Sequence, residues 1–168
     1  RNSQKASGMN NSTVKSKKII GTSTVVNFAK YKNLKNIPAR VDTGARTSSL
    51  WASDMQIIGG TVKFKLFGPG SQYYTGKFVK MPFVEHRVVT SSTGHEQERI
   101  VVQFPVRIKG KKIGAKFTLS DRSTQSYPVL IGRNTLRGHF LVDCSDPGDA
   151  PIYKYPEEKI EFKEVESE

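Results

Sequence analysis

Cysteine is nearly absent from this chain. Cys144 stands alone among 168 residues, so no intramolecular disulfide is open to it. The fold must rest on packing, which suits a reducing compartment without requiring one. Long apolar runs are missing too, and none approaches the length needed to span a membrane. No glycine-rich phosphate loop with its Lys is present, so the usual cradle for ATP is lacking. Acids are scarce beside bases, with 15 Asp and Glu against 27 Lys and Arg, a net charge of +12. The first residue is Arg1 rather than Met, which leaves room for a processed leader and for a cytoplasmic or periplasmic setting.

The charge that is present is uneven. Residues 1–18 hold five bases and no acid, whereas residues 157–168 hold six Glu and two Lys, a local −4 that leaves +16 over residues 1–156. Such a surface favours anionic partners: nucleic acid, anionic lipid or an acidic protein segment. Nucleic acid is the weakest of these, because the bases are dispersed and no recognition motif accompanies them.

Residues 1–17 are polar and read as a disordered lead-in. From Lys18 the text becomes a series of short β-rich runs. "KKIIGTSTVVNF" predicts a strand with a Gly break, and "NIPARVDTG" a short strand whose Pro38 places its start at an edge. "GTVKFKLFG" alternates as a half-buried strand does, and "GPGSQYYTG" is a turn-rich loop with two aromatics. "FVEHRVVT" and "ERIVVQFPVRI" form a hairpin through "SSTGHEQ". "IGAKFTLSD", "SYPVLIGR" and "HFLVDC" supply three more strands, and "RNTLRG" one short helix. Residues 18–146 therefore predict one all-β domain, a small barrel or sandwich, and residues 147–168 an extended acidic tail.

The candidate site lies in "RVDTGARTSSL", residues 40–50. An Asp-Thr-Gly at the end of an apolar strand either presents a catalytic Asp or makes an ordinary turn in which Asp42 bonds its own backbone. Hydrolysis of a peptide by water needs two carboxylates about 3 Å apart, which repulsion forces to share a proton. This chain has one such motif and no internal repeat.

A second stretch bears on that choice. "YPVLIGRNTL" sets two apolar residues before Gly132, then Arg133 and Asn134. The pair of motifs resembles the retropepsin-like aspartic proteases, with Asp-Thr-Gly-Ala early and apolar-apolar-Gly-Arg-Asn late. "VDTGARTSSL", "RVVTSSTGHEQERIVV" and "LIGRNTLRGHFLVD" are most similar to the bacterial RimB-like group, also called ATP-dependent zinc proteases. The resemblance runs from about Lys18 to Asp146. It implies a small closed barrel with one short helix after Ile-Gly-Arg, and a homodimer whose two Asp42 carboxylates meet on the axis. It implies that Thr43 braces the pair, that Gly44 and Ala45 line the cleft floor, that Ile131 and Gly132 form the wall, and that Arg133 supports the structure. Viral relatives carry an acid just after Asp-Thr-Gly-Ala, where this chain has Arg46, a cation expected to favour ionised carboxylates. The spacing from Asp42 to Gly132 is long, which enlarges the flap or adds a hairpin. Tyr73 and Tyr74 suit a closing loop.

The group's name prompts a search for zinc ligands. His86, His95 and His139 are scattered, and "HEQER" has Arg99 where a second His would complete the metalloprotease motif. No ligand set is seen, so neither zinc nor another cofactor is expected. His139, Asp143 and Cys144 cluster in sequence without the makings of a thiol nucleophile. The resemblance also implies a link with RimK-type ATP-grasp ligases, which add glutamates to a protein C-terminus, and an acidic tail as peptide substrate. The leading expectation is an aspartic endopeptidase. A non-catalytic peptide-binding module with the same fold is the alternative, and a nucleic-acid-associated protein a third.

Overall fold

The computed structural model describes residues 16–151. Most of the lead-in over 1–17 and of the tail over 147–168 lies outside the described residues. Eleven strands and one short helix follow one another: β1 Lys18–Ile20, β2 Ser23–Phe28, β3 Ile37–Val41, β4 Ser48–Ile58, β5 Thr61–Leu66, β6 Phe78–Pro82, β7 Glu85–Thr90, β8 Glu96–Ile108, β9 Lys111–Ser120, β10 Val129–Ile131, α1 Arg133–Leu136 and β11 Phe140–Val142.

Six strands close a barrel in the order β10-β3-β2-β8-β9-β4, with β4 pairing back onto β10. The three residues of β10 do the closing, running parallel to β3 on one side and antiparallel to β4 on the other. Closure leaves no exposed edge within the ring. Alternation along each strand decides which side chains fill it. Ile37, Ala39 and Val41 of β3 are buried while Arg40 is exposed, and Val102, Phe104, Val106 and Ile108 of β8 are buried with exposed residues between them. Phe28, Phe104 and Phe117 meet at the centre with ring centroids 5.4 to 6.5 Å apart. Each such fully buried side chain stabilises by roughly 1.5–3 kcal/mol. Thr24 is the exception in this lining, since its buried hydroxyl has no hydrogen-bond partner among the described residues.

β4 leaves the ring after Trp51. Its outer half pairs with β5, and β5 with β6, across an irregularity between Ser53 and Gln56 where Asp54 takes φ 51°. The long spacing between the two motifs thus adds a meander, which covers the barrel with Phe64 and Phe67. β4 and β6 went unread in the sequence. "SSLWASDMQII" opens on two Ser and loses its alternation at the bulge, and "FVKMP" lies half-exposed at the sheet's margin.

The expectation for Pro38 holds at the start of the strand, where Ile37 and Pro38 pair with β2 alone, although β3 is interior from Ala39 on. The ring tolerates this proline because pairing with β10 begins only at Ala39. β1 and β11 form a separate two-stranded parallel sheet.

Both ends of the described chain come to one corner, the β8–β9 turn. Lys18 Nζ donates to Lys109 O, Lys111 Nζ donates to Ser16 O, and Lys109 pairs with Asp149 at 3.3 Å. Residues 146–150 lie against the start of β2. Thr22 N donates to Asp146 O, and Ser23 Oγ donates to Pro147 O at 2.6 Å. Only glycine fits at Gly148, with φ 85° and a would-be Cβ 1.9 Å from Ser23 O.

Candidate active site

Asp42 is the first residue beyond β3, where the parallel pairing with β10 ends. Its N–H donates to Ile131 O at 2.9 Å, so the two motifs are joined directly, 89 residues apart. Its Oδ1 accepts the N–H groups of Gly44 at 2.9 Å and Ala45 at 3.2 Å. That is the turn bond of an ordinary Asx turn, and it also fixes the carboxylate. Thr43 and Gly44 are exposed at the tip, with half-buried Asp42 entering the turn from β3 and half-buried Ala45 and exposed Arg46 leading back toward β4.

A polar clamp holds this turn from behind. Arg133 Nη1 donates to Thr43 O at 3.1 Å and Gly44 O at 2.8 Å, and Arg133 N donates to Ala45 O. Asn134 N donates to Arg46 O, and Asn134 Nδ2 to Lys116 O. Asn134 Oδ1 accepts both the N–H and the Oγ–H of Ser48 at 2.8 Å. Ser48 Oγ in turn accepts the N–H of Gly132 and lies 2.7 Å from Thr135 Oγ1. Gly132 is fully constrained. A Cβ there would stand 2.6 Å from the carbonyl of Thr47 and 3.0 Å from Ala45 O. Ser48, Asn134 and Thr135 were not singled out from the sequence, although "RTSSL" and "RNTL" carry them. Two short polar runs look like loop text until the fold sets one against the other.

Arg46 projects into solvent, and among the described residues it forms no ion pair with Asp42. Tyr73 and Tyr74 sit in the loop between β5 and β6, partly buried against the core, with the Tyr73 ring 5.8 Å from Phe67. Tyr73 lines a cavity of about 320 Å³ with Trp51, Pro38, Pro128 and Gln125. At its side Asp121 is held below the usual carboxylate range, first by the Ser123 N–H and hydroxyl and then by a bond from Trp51.

The least packed segment is the β7–β8 ribbon. Nearly every residue from Glu85 to Arg99 is exposed, and its turn is closed by Ser91 and His95 with Gly94 at φ 83°. His86 Nε2 lies 3.8 Å from Glu98. Among the described residues no three of His, Cys, Asp and Glu gather as a metal site would require. Cys144 is exposed in the turn after β11.

With this geometry in place, comparison with known proteins becomes decisive. The family model described as "RimB-like: Retropepsin-like aspartic endopeptidase RimB" matches residues 25–148. The chain belongs to the RimB-like family. Among curated relatives, a probable alpha-L-glutamate ligase of Desulfotalea psychrophila is 28% identical over 131 residues, which make up 76% of this chain and 28% of that protein. A protein of the same name in Shewanella pealeana is 30% identical over 114 residues, 66% of this chain and 25% of that protein. The RimB-like chain thus spans about a quarter of the length of these relatives. A solved structure from Legionella pneumophila, a protein of unknown function (DUF785), superposes with TM-score 0.63 at 20% identity and covers 81% of this chain and 100% of its own. It shows the shared fold.

Proposed function

We propose that this RimB-like chain is one subunit of a homodimeric aspartic endopeptidase. The observation that carries the reading is the fixed Asp42 carboxylate. Its Oδ1 is committed to Gly44 and Ala45 at an exposed strand end, beside the Gly132 wall. An isologous dimer brings a second copy of the same turn to the axis. The exposed Thr43 of each copy then braces the pair. One carboxylate is ionised and takes a proton from water. The other, protonated, donates to the substrate carbonyl. The oxygen of water bonds to the carbonyl carbon, and collapse of the tetrahedral intermediate breaks the C–N bond as the amine takes up a proton. No covalent enzyme adduct forms, and the two carboxylates titrate as a pair.

The relatives named as glutamate ligases support a substrate class. A chain with net charge +12, related to part of proteins named for ligating glutamate, is suited to glutamate-rich peptide tails and to work beside an ATP-grasp ligase. The β7–β8 ribbon, unpacked on both faces, is better suited to closing over a bound peptide than the seated loop of Tyr73 and Tyr74.

The test compares wild type and Asp42→Asn on glutamate-rich peptides, with and without chelator, alongside sedimentation to read the assembly. Cleavage by the wild type alone, insensitive to chelator and confined to the dimer, is expected. Equal cleavage by Asp42→Asn, or loss on chelation, ends this mechanism. Tight peptide binding without turnover by the wild type selects the non-catalytic binding module, which the turn bonds of Asp42 would serve equally well.

A further inference from the structure

Alternation places three rows of residues on the outer face of the barrel below Asp42. On β3, Ala39 and Val41 face the core, so Pro38, Arg40 and Asp42 share the outer face. On β4, Ser48 and Leu50 face inward, which puts Ser49 and Trp51 outward, and on β10 Leu130 lies outward between buried Val129 and Ile131. Register aligns them. Leu130 sits opposite Arg40 on one side and Ser49 on the other. The row Arg40, Leu130, Ser49 is therefore one step, about 7 Å, from Asp42 along the strands. The next row, Pro38, Pro128 and Trp51, floors the cavity that Tyr73 walls.

The middle row has an unusual chemistry. At one end stands the exposed guanidinium of Arg40. At the other, Arg122 is only 9% exposed, with Nε donating to Tyr127 O at 2.9 Å and Nη1 donating to Ser49 Oγ at 3.0 Å. Between them lies the half-buried side chain of Leu130. Arg40 and Ser49 are two strand spacings apart, roughly 10 Å between Cα atoms. Asp121 accepts from Ser123 and Trp51, and Asp146 from the N–H of Gly148. Among the described residues no ion pair holds Arg40.

We infer that Arg40 and Arg122 flank a carboxylate-reading pocket floored by Leu130, which selects a Glu side chain of the substrate next to the scissile bond. The inference rests on the protease reading for its placement and deepens it by naming the residues that set specificity. The two methylenes of Glu lie on Leu130 while the carboxylate meets a guanidinium, which offers the fork geometry that carboxylates match. A Gln of the same shape keeps the methylene contact and loses the charge.

Binding separates this from catalysis. In the full chain carrying Asp42→Asn, a fluorescein-labelled peptide of Glu residues and its Gln counterpart are titrated by anisotropy at low salt. The Glu peptide should bind about ten-fold more tightly. Adding Arg40→Glu should erase that preference, Arg40→Lys should keep part of it, and Arg122→Gln should reduce it. Lys112→Glu, an equal charge change on β9, should leave the ratio of the two affinities intact. Circular dichroism checks each variant. If buried Arg122 proves essential to folding, the Arg40 series decides alone. An unchanged ratio in folded Arg40→Glu, an equal loss in Lys112→Glu, or no preference in the parent overturns the inference. Absence of wild-type cleavage would instead count against the protease reading alone.

Discussion

The Asp42 turn and the β7–β8 ribbon are both hairpin-like excursions from the same barrel, and they are built in opposite ways. The turn keeps the Asp42 carboxylate on local N–H groups but is braced by neighbours distant in sequence: Arg133 on two carbonyls, Asn134 on Ser48 and Lys116, Ser48 on Gly132. The ribbon has its own ladder and bonds that stay within it: Arg87 with Glu85, Ser91 with Thr93 and His95, and the loose pair of His86 with Glu98. Bracing from outside its own segment makes the turn costly to open, whereas a segment with local bonds only opens at low cost.

That contrast can be broken at the turn. Gly132→Ala forces a methyl group into the Thr47 carbonyl, where backbone on both sides resists shifting. A loss of about 3 kcal/mol is expected, seen as a lower denaturant midpoint. A cost under about 0.5 kcal/mol would mean that the wall is soft and the clamp less rigid than described. Asn134→Ala strips the acceptor from Ser48 N–H and Oγ and should cost about 2 kcal/mol. Asn134→Asp, which keeps the acceptor and loses the bond to Lys116 O, should recover part of that.

A middle-sized effect lies inside the barrel itself. Thr24→Val replaces an unsatisfied buried hydroxyl with a methyl of the same shape, so a gain of about 1 kcal/mol should raise Tm by a few degrees. A loss would reveal a partner for that hydroxyl. The ribbon should respond least. Val88, 54% exposed, replaced by Ser should leave stability within about 0.5 kcal/mol. Hydrogen exchange at residues 86–98 should outrun that at 100–108 by orders of magnitude, and equal protection would remove the contrast.

Another small effect shows at low pH. Asp121 has a lowered pKa in the folded chain, relative to 3.8. Its contribution is complete above 3.8 and is lost as pH falls through the lower folded value. Asp121→Asn should therefore lower Tm slightly at neutral pH and flatten the acid limb, so that the mutant and wild-type curves converge at low pH. An acid limb identical to wild type would show that Asp121 is not among the groups that set it.

Much of the barrel was legible because its strands alternate: β5, β8 and β9 show their period in the letters. β4 was not, since Ser48 is buried for its hydrogen bonds rather than its hydrophobicity, and Asp54 interrupts the count. Pro38 was readable because a proline's missing donor marks a gap in pairing, here the stretch of β3 before β10 joins at Ala39. Asp42 was visible only as an ambiguous turn. Its partnership with Gly132 was suggested by resemblance, and the bond from Asp42 to Ile131 gives that pairing its geometry. Arg122 was invisible, as "LSDRSTQ" reads as polar loop and nothing in it announces a guanidinium laid against Ser49.

The corner at the β8–β9 turn has a consequence for how the described ends are held. Ser16 is tied to Lys111 and Asp149 to Lys109, two residues apart at the same turn. The barrel therefore hangs from one point, like a fob from its ring. Among the described residues, loosening that corner would release Ser16 and Asp149 together and leave the Arg133 and Asn134 bonds of the clamp untouched.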